Sequence, residues 1–379
     1  MDHHVLHTLV EDVECVGNDG DIHTLGVLMS YETVVHWGMG GMPPIEGNPF
    51  ELARSSCLHA VEVARDVSID EAQLLDFAAN LNAGEVRSVA NGHLGENLDT
   101  LSDQFEDARN AVNFAVLFSL LQFGHGFRHE LHEFCGVGAS KTITLGTRQM
   151  RAAGDLCASR LSKVEAREIR RWFGLPVEPA LEELTMQLLT VLRQTGRLLE
   201  RQGFEDFESL CRQVLTSREA TQFPAATLVR ELANRFPAFN DQAILADGSH
   251  VVLVKKATLA AGEIRRLAAP HDPFYSMSED LHRAVAPVDN VIPAMLVYEG
   301  VLRLSPALHN RIHHERVPLP RGVQEAELRA VALAACEHVV AATGDTFSAL
   351  DLGYYLWRSG KAPGRRQFAR HHTKDTIFY

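Results

Sequence analysis

Apolar positions along the chain fall mostly at helical spacing and only briefly alternate as in a strand. In SIDEAQLLDFAANLNAG the leucines recur on one face, Ser68 and Glu71 fit a capping box, and Gly84 supplies a stop, which predicts a helix. A second helix follows Pro176 and Pro179, where Leu181, Leu184, Leu188, Leu192, Thr195 and Leu199 form one stripe that Gly203 ends. A third runs from about Glu325 to Ala342 and stops near Gly344, its alanine-rich faces implying close helix packing. In QAILADGSHVVLVKK the pair Asp247-Gly248 sits between two short β-prone runs. This predicts a hairpin with a tight two-residue turn, whose second strand carries Lys255 and Lys256 at its end. The expected architecture is mainly α with a small β hairpin element, in one domain over residues 49–379. Residues 1–48 form an N-terminal extension, and the Gly and Pro content of WGMGGMPPIEGNP there suits a connector.

One stretch breaks the amphipathic pattern. AVAPVDNVIPAML, Ala284 to Leu296, holds a single charged side chain, Asp289, among apolar or neutral residues with a proline on either side. A buried carboxylate costs several kcal/mol unless something compensates, so the residue is either a paired structural charge or a chemical tool.

Composition narrows the class. With 379 residues, 46% hydrophobic and 22% charged, the chain can bury a large core, which excludes a disordered or fibrous protein. The start MDHHVLHTLVEDVE lacks a basic, apolar leader and no later run approaches a membrane span, so the expected home is the cytoplasm, away from membranes. Cys15, Cys57, Cys135, Cys157, Cys211 and Cys336 form no Cys-x-x-Cys pair, which argues against a disulfide framework or a zinc ribbon. A net charge of -13 disfavours direct binding of nucleic acid, because phosphate backbones are held by clustered Lys and Arg. The tail KAPGRRQFARHHTK runs the other way and suits either a solvated basic surface or the holding of one phosphate.

Two further groups carry possible chemistry. In FGHGFRHELHEFCG, His125 and His129 are four apart and would share a helix face, with Glu130, His132 and Glu133 close behind. That is a loose match to a zinc site, short of the His-Glu-x-x-His spacing; His309 and His313 match less well still. CGVGAS lacks the Lys-Ser or Lys-Thr end of a phosphate loop and reads as a turn. If Lys255 met Asp289, its charge would oppose the desolvation of the acid and keep it ionised.

The C-terminal half has a recognisable order of blocks: VVLVKKATLAAGEI, APVDNVIPAMLVYEGVLRLSPAL, EAELRAVALAACEHVV, GYYLWRSGK and HHTKDTIFY. With RFPAFNDQA, LTVLRQTGRLLERQGF and VARDVSIDEAQLLDFAANL upstream, the chain from about residue 50 resembles the queuosine salvage family of queuosine 5′-phosphate N-glycosylase/hydrolases. The resemblance implies a fold like that of helical DNA glycosylases. It also implies a nucleotide substrate, no cofactor or metal, and release of queuine for reuse in transfer RNA. It further implies that Asp289 is the catalytic carboxylate, with Lys255 beside it. His93, Asn113, Phe114, Pro287, Asp351, Gly353, Tyr354 and Trp357 fall at or beside positions that face substrate.

The departures from the family pattern cluster around the base pocket. Pro287 replaces an aromatic, Asn290 and Val291 replace Tyr and Arg, and Ala294 replaces Gln, while Pro293 is kept. Val116 and Leu117 stand for Phe-Trp, and Gly353 stands for an Asp, leaving Asp351 nearby. These changes bear on the substrate more than on the reaction class. They leave open a glycosylase for another modified nucleotide, a binding protein without turnover, and a metal hydrolase built on His125, His129 and His132.

Overall fold

The computed structural model describes residues 42–91, 105–154 and 156–379; His93 lies outside them. The fold is mainly helical with two small antiparallel strand pairs. Helix α1 (Pro49–Val63) begins at Asn48, whose Oδ1 accepts from the Phe50 N–H at 2.9 Å. Strand β1 (Val67–Ile69) then leads into α2 (Glu71–Asn80). The cap of α2 is Asp70, which accepts from Gln73 N–H, and not the expected Ser68. Ser68 is held in β1 by pairing opposite Arg303, so the nearest free oxygen ahead of the helix is that of Asp70. Helix α3 (Ala83–Asn91) follows.

The interior is built on helices that are buried on all faces and mostly apolar, as a helix surrounded by others tends to be. Helix α4 (Ala108–Leu120) is buried at every position from Ala111 to Leu120. The short α5 (Arg128–Cys135) and α6 (Ala139–Ala152) are separated by the CGVGAS turn, with Gly136 left-handed at φ 70°. Next come α7 (Ala158–Leu161), α8 (Ala166–Phe173) and the long α9 (Pro179–Arg201), whose buried stripe is the one its leucine spacing predicts. Helices α10 (Phe207–Leu215) and α11 (Pro224–Arg235) precede the hairpin. Asn234 of α11 pairs through its amide with both backbone groups of Ile45, so the expected connector is packed at that point.

The hairpin joins β2 (Gln242–Ile244) to β3 (His250–Val252). Its turn differs from the expected two-residue form. Leu245 N–H bonds Ser249 O at 2.9 Å and Gly248 N–H bonds Leu245 O at 3.0 Å, with Gly248 at φ 85°. This is a three-residue loop in which the glycine takes the left-handed position. After β3 the chain enters α12 (Lys255–Ala268), which packs along α4. Lys255 and Lys256 are therefore in the first turn of a buried helix, not at a solvated strand end.

The remaining elements are α13 (Val291–Tyr298), β4 (Leu302–Leu304) paired with β1, α14 (Pro306–Asn310), α15 (Val323–Ala342) and α16 (Ala349–Ser359). Helix α15 is buried on all faces from Glu325 to Cys336 and carries Arg329 into the centre. Arg329 Nη2 meets Asp241 Oδ2 at 2.5 Å, and the same guanidinium donates to the carbonyl of Val288 at 3.1 Å. Asp241 in turn accepts at its backbone oxygen from Leu253 and Val254 at 2.9 and 3.2 Å. One buried ion pair thus fixes both the residue before Asp289 and the entry to α12.

Candidate functional site

Ala284 to Asn290 is buried throughout, and Asp289 is 2% exposed. Its Oδ1 accepts from the N–H groups of Val291 and Ile292 at 2.7 and 3.3 Å, the first amides of α13. These are donors that a helix cannot satisfy internally, and the helix dipole favours an anion there. Pro293 falls in the same first turn, where its missing N–H removes no helical bond. Among the described residues no donor is bonded to Oδ2. One oxygen therefore anchors the carboxylate and the other is left for a ligand. Burial pushes the carboxyl upward, but His125, Lys255, the Val291 N–H and Lys361 outweigh it and hold Asp289 below its usual range. His125 is itself kept neutral by burial, at about 3, so the two lysines and the N–H keep the acid ionised.

Lys255 is 3% exposed, and its Nζ donates to the backbone oxygen of Gln122 at 2.7 Å, just past the C-terminal end of α4. Lys256 does the same to Leu120 O at 2.7 Å. A helix C-terminus concentrates negative partial charge, so its carbonyls are suitable anchors for the amino groups of two buried lysines. The chain reaches this arrangement through Val254, which is left-handed at φ 44°, a strained state for a β-branched residue that costs about 1–3 kcal/mol. Burial lowers Lys255 to about 8 against the opposing pull of Asp289.

Asp289 and Lys255 line one pocket of about 410 Å³, counting its open mouth. Pro287, Gly353, Tyr354 and Trp357 share the wall, so six of the residues picked from sequence converge here. Phe118, Gln122 and Ile292 also line it, and nothing in their sequence context marked them.

The basic tail closes on the same place. From His371 to Tyr379 it is largely buried: Asn290 Nδ2 donates to His371 O at 3.0 Å, and Gln187 Nε2 donates to Lys374 O at 2.8 Å. Lys361 Nζ lies 4.2 Å from the centre of the Trp357 ring. Burial, and then repulsion from Arg370, lower Lys361 to about 8; burial and Arg128 lower Arg370 to about 10. Arg370 Nε is enclosed without a partner. Crowded, partly desolvated cations beside a pocket are a ready receptor for an anion.

Other residues picked from sequence stand apart. Asn113 Nδ2 donates to Asp206 Oδ2 at 2.9 Å and its Oδ1 accepts from Glu208 N–H at 2.9 Å, tying α4 to α10. Phe114 is fully buried, its ring 5.4 Å from Phe105 and 5.9 Å from Phe118. Asp351 caps α16 with Ser348, accepting from Ser348 Oγ at 2.8 Å. None of the three lines the pocket. The metal alternative fails on geometry. Gly124, at φ 94°, turns the chain so that His125 begins a separate 3-10 turn beside Asp289, whereas the His129 side chain is 88% exposed. No three metal-capable side chains converge among the described residues.

The pocket thus brings Phe118, Tyr354 and Trp357 together with the ionised Asp289, and Lys361 sits against the Trp357 ring. Residues 106–379 match the family model of the queuosine salvage protein, and the chain belongs to that family. It is also 28% identical over 227 residues to a queuosine 5′-phosphate N-glycosylase/hydrolase of Sphaerobacter thermophilus, a stretch covering 59% of this chain and 65% of that relative. No helix among the described residues is long and apolar enough to cross a membrane.

Proposed function

We propose that this protein hydrolyses the N-glycosidic bond of queuosine 5′-phosphate, releasing queuine and ribose 5-phosphate. The observation that carries the reading is the carboxylate of Asp289, buried, ionised and held by one oxygen in a pocket that it shares with Lys255. Family membership and the name of the Sphaerobacter relative support it.

In this reading the C1′–N bond breaks with its electron pair leaving on the base, and positive charge builds on the sugar. Asp289 stabilises that charge from the dry side of the pocket, where the low dielectric strengthens it. Water adds its oxygen to C1′, and its proton balances the one taken up by the departing base. A 7-deazapurine has no N7 to protonate, so more of the work falls on the sugar face. Lys255 orients and counterbalances the acid, Lys361 and Arg370 take the phosphate, and Tyr354 and Trp357 flank the base. We place this activity in residues 49–379, in the cytoplasm, with a free nucleotide and not nucleic acid as the partner. Incubating the protein with queuosine 5′-phosphate and following free queuine, with and without chelator, tests the reading. Absence of release removes the substrate claim.

The contact between Gly353 and Pro287, both at positions that depart from the family pattern, favours a second reading: the same bond cleavage on a different modified nucleotide. A panel of purine and deazapurine monophosphates separates the two.

A further inference from the structure

Gln122 lines the pocket, is 9% exposed, and its Nε2 is enclosed without a hydrogen-bond partner. An unpaired buried amide costs free energy, and the cost is removed when a ligand supplies the missing acceptor. The backbone here is not free to adjust, because Gln122 O holds Lys255 Nζ. The side-chain amide, by contrast, turns about a soft terminal torsion, so it reaches a ligand without moving the chain.

The surroundings decide which part of a ligand it meets. Phe118 lies four residues earlier and faces the same pocket, with Tyr354 and Trp357 also on its wall. Flat apolar rings suit a planar base, and the charged groups, Asp289 and Lys255 with Lys361 and Arg370 behind, suit the sugar and phosphate. Gln122 is a neutral hydrogen-bonding group on this wall, one helical turn from Phe118, with Ser140 another. We propose that Gln122 is a specificity-determining residue that donates from Nε2 to a carbonyl oxygen on the edge of the base. It thereby selects 6-oxo over 6-amino deazapurines, whose exocyclic amine would set donor against donor. This rests on the nucleotide reading above and concerns recognition alone, so it is tested by binding without turnover.

The experiment measures, by calorimetry in the Asp289→Asn protein, the dissociation constants of 7-deazaguanosine 5′-monophosphate and 7-deazaadenosine 5′-monophosphate. The 6-oxo nucleotide is expected to bind about tenfold more tightly, the size of one well-made hydrogen bond. Adding Gln122→Leu brings the ratio close to one, and Gln122→Glu, which presents an acceptor, turns it toward the 6-amino compound. A ratio that survives both substitutions overturns the proposal, as does no preference before substitution, no binding of either nucleotide, or equal weakening of both. A parallel assay of queuine release by the unsubstituted protein keeps the two ideas apart. Preference without release sinks the hydrolysis and leaves Gln122 as a base reader; release without preference does the reverse.

Discussion

Gly353 on α16 lies against Pro287, two residues before Asp289, so closely that a Cβ at 353 would stand 2.7 Å from Pro287 Cδ. A proline ring cannot swing aside, so even alanine at 353 must displace the segment that carries the carboxylate. Gly353→Ala, a change that favours an exposed helix, is expected instead to destabilise by about 1–3 kcal/mol and to lower activity. Adding Pro287→Ala restores both. Denaturant unfolding and turnover of the two single variants and the double variant check this coupling.

The pH dependence follows from Lys255 and Lys361, both lowered to about 8 by burial. Above that pH they lose their charge, so kcat/KM is expected to fall on the alkaline side with a midpoint near 8. Stability runs the other way. Between about 8 and 10.5 the unfolded chain binds more protons at these two lysines than the folded one, so their contribution to stability rises with pH. A pH–rate profile and a pH series of unfolding curves, each repeated on Lys361→Met, check both signs.

Removing one cation from the rim should act on the phosphate and spare the nucleoside. Lys361→Met or Arg370→Gln is expected to weaken binding of ribose 5-phosphate by about 10- to 100-fold, the range for a hydrogen bond to a charged group, and to leave binding of free queuosine much less altered. Titration of each ligand reads the difference.

Asn113 gives a prediction of the opposite kind. Its amide joins Asp206 to the backbone of Glu208 away from the pocket. Asn113→Ala is expected to cost about 1–3 kcal/mol of stability through the partners left unpaired, with the affinity for ribose 5-phosphate unchanged at a temperature where the protein is folded.

Much of the scaffold was legible in the sequence because it obeys local rules. The leucine stripe of α9, the alanine-rich α15 and the Asp-Gly hairpin each carry their own periodicity or turn chemistry. Asp289 stood out by its isolation among apolar residues. Where reading failed, a tertiary contact had overridden the local signal. No capping residue precedes Lys255, because the turn into α12 is made by Val254 in a left-handed state that Asp241 holds through two backbone bonds. His125 and His129 suggest one helix face only if the chain runs straight, and Gly124 prevents that. The basic tail reads as surface until Asn290 and Gln187 are seen to draw it inward. Gln122 had no local signal at all; only its unpaired amide in the folded pocket marks it.

The proposed cleavage depends on Asp289 facing the sugar carbon, and Asp289→Asn tests this most directly. The amide oxygen keeps the shape and can still accept from Val291 N–H, so the fold is expected to hold while the negative charge is lost. Single-turnover release of queuine from queuosine 5′-phosphate is predicted to fall by at least 100-fold, on the order of the loss when one electrostatic stabiliser is removed from an active site, with ribose 5-phosphate still bound. Release at the unsubstituted rate would contradict the account.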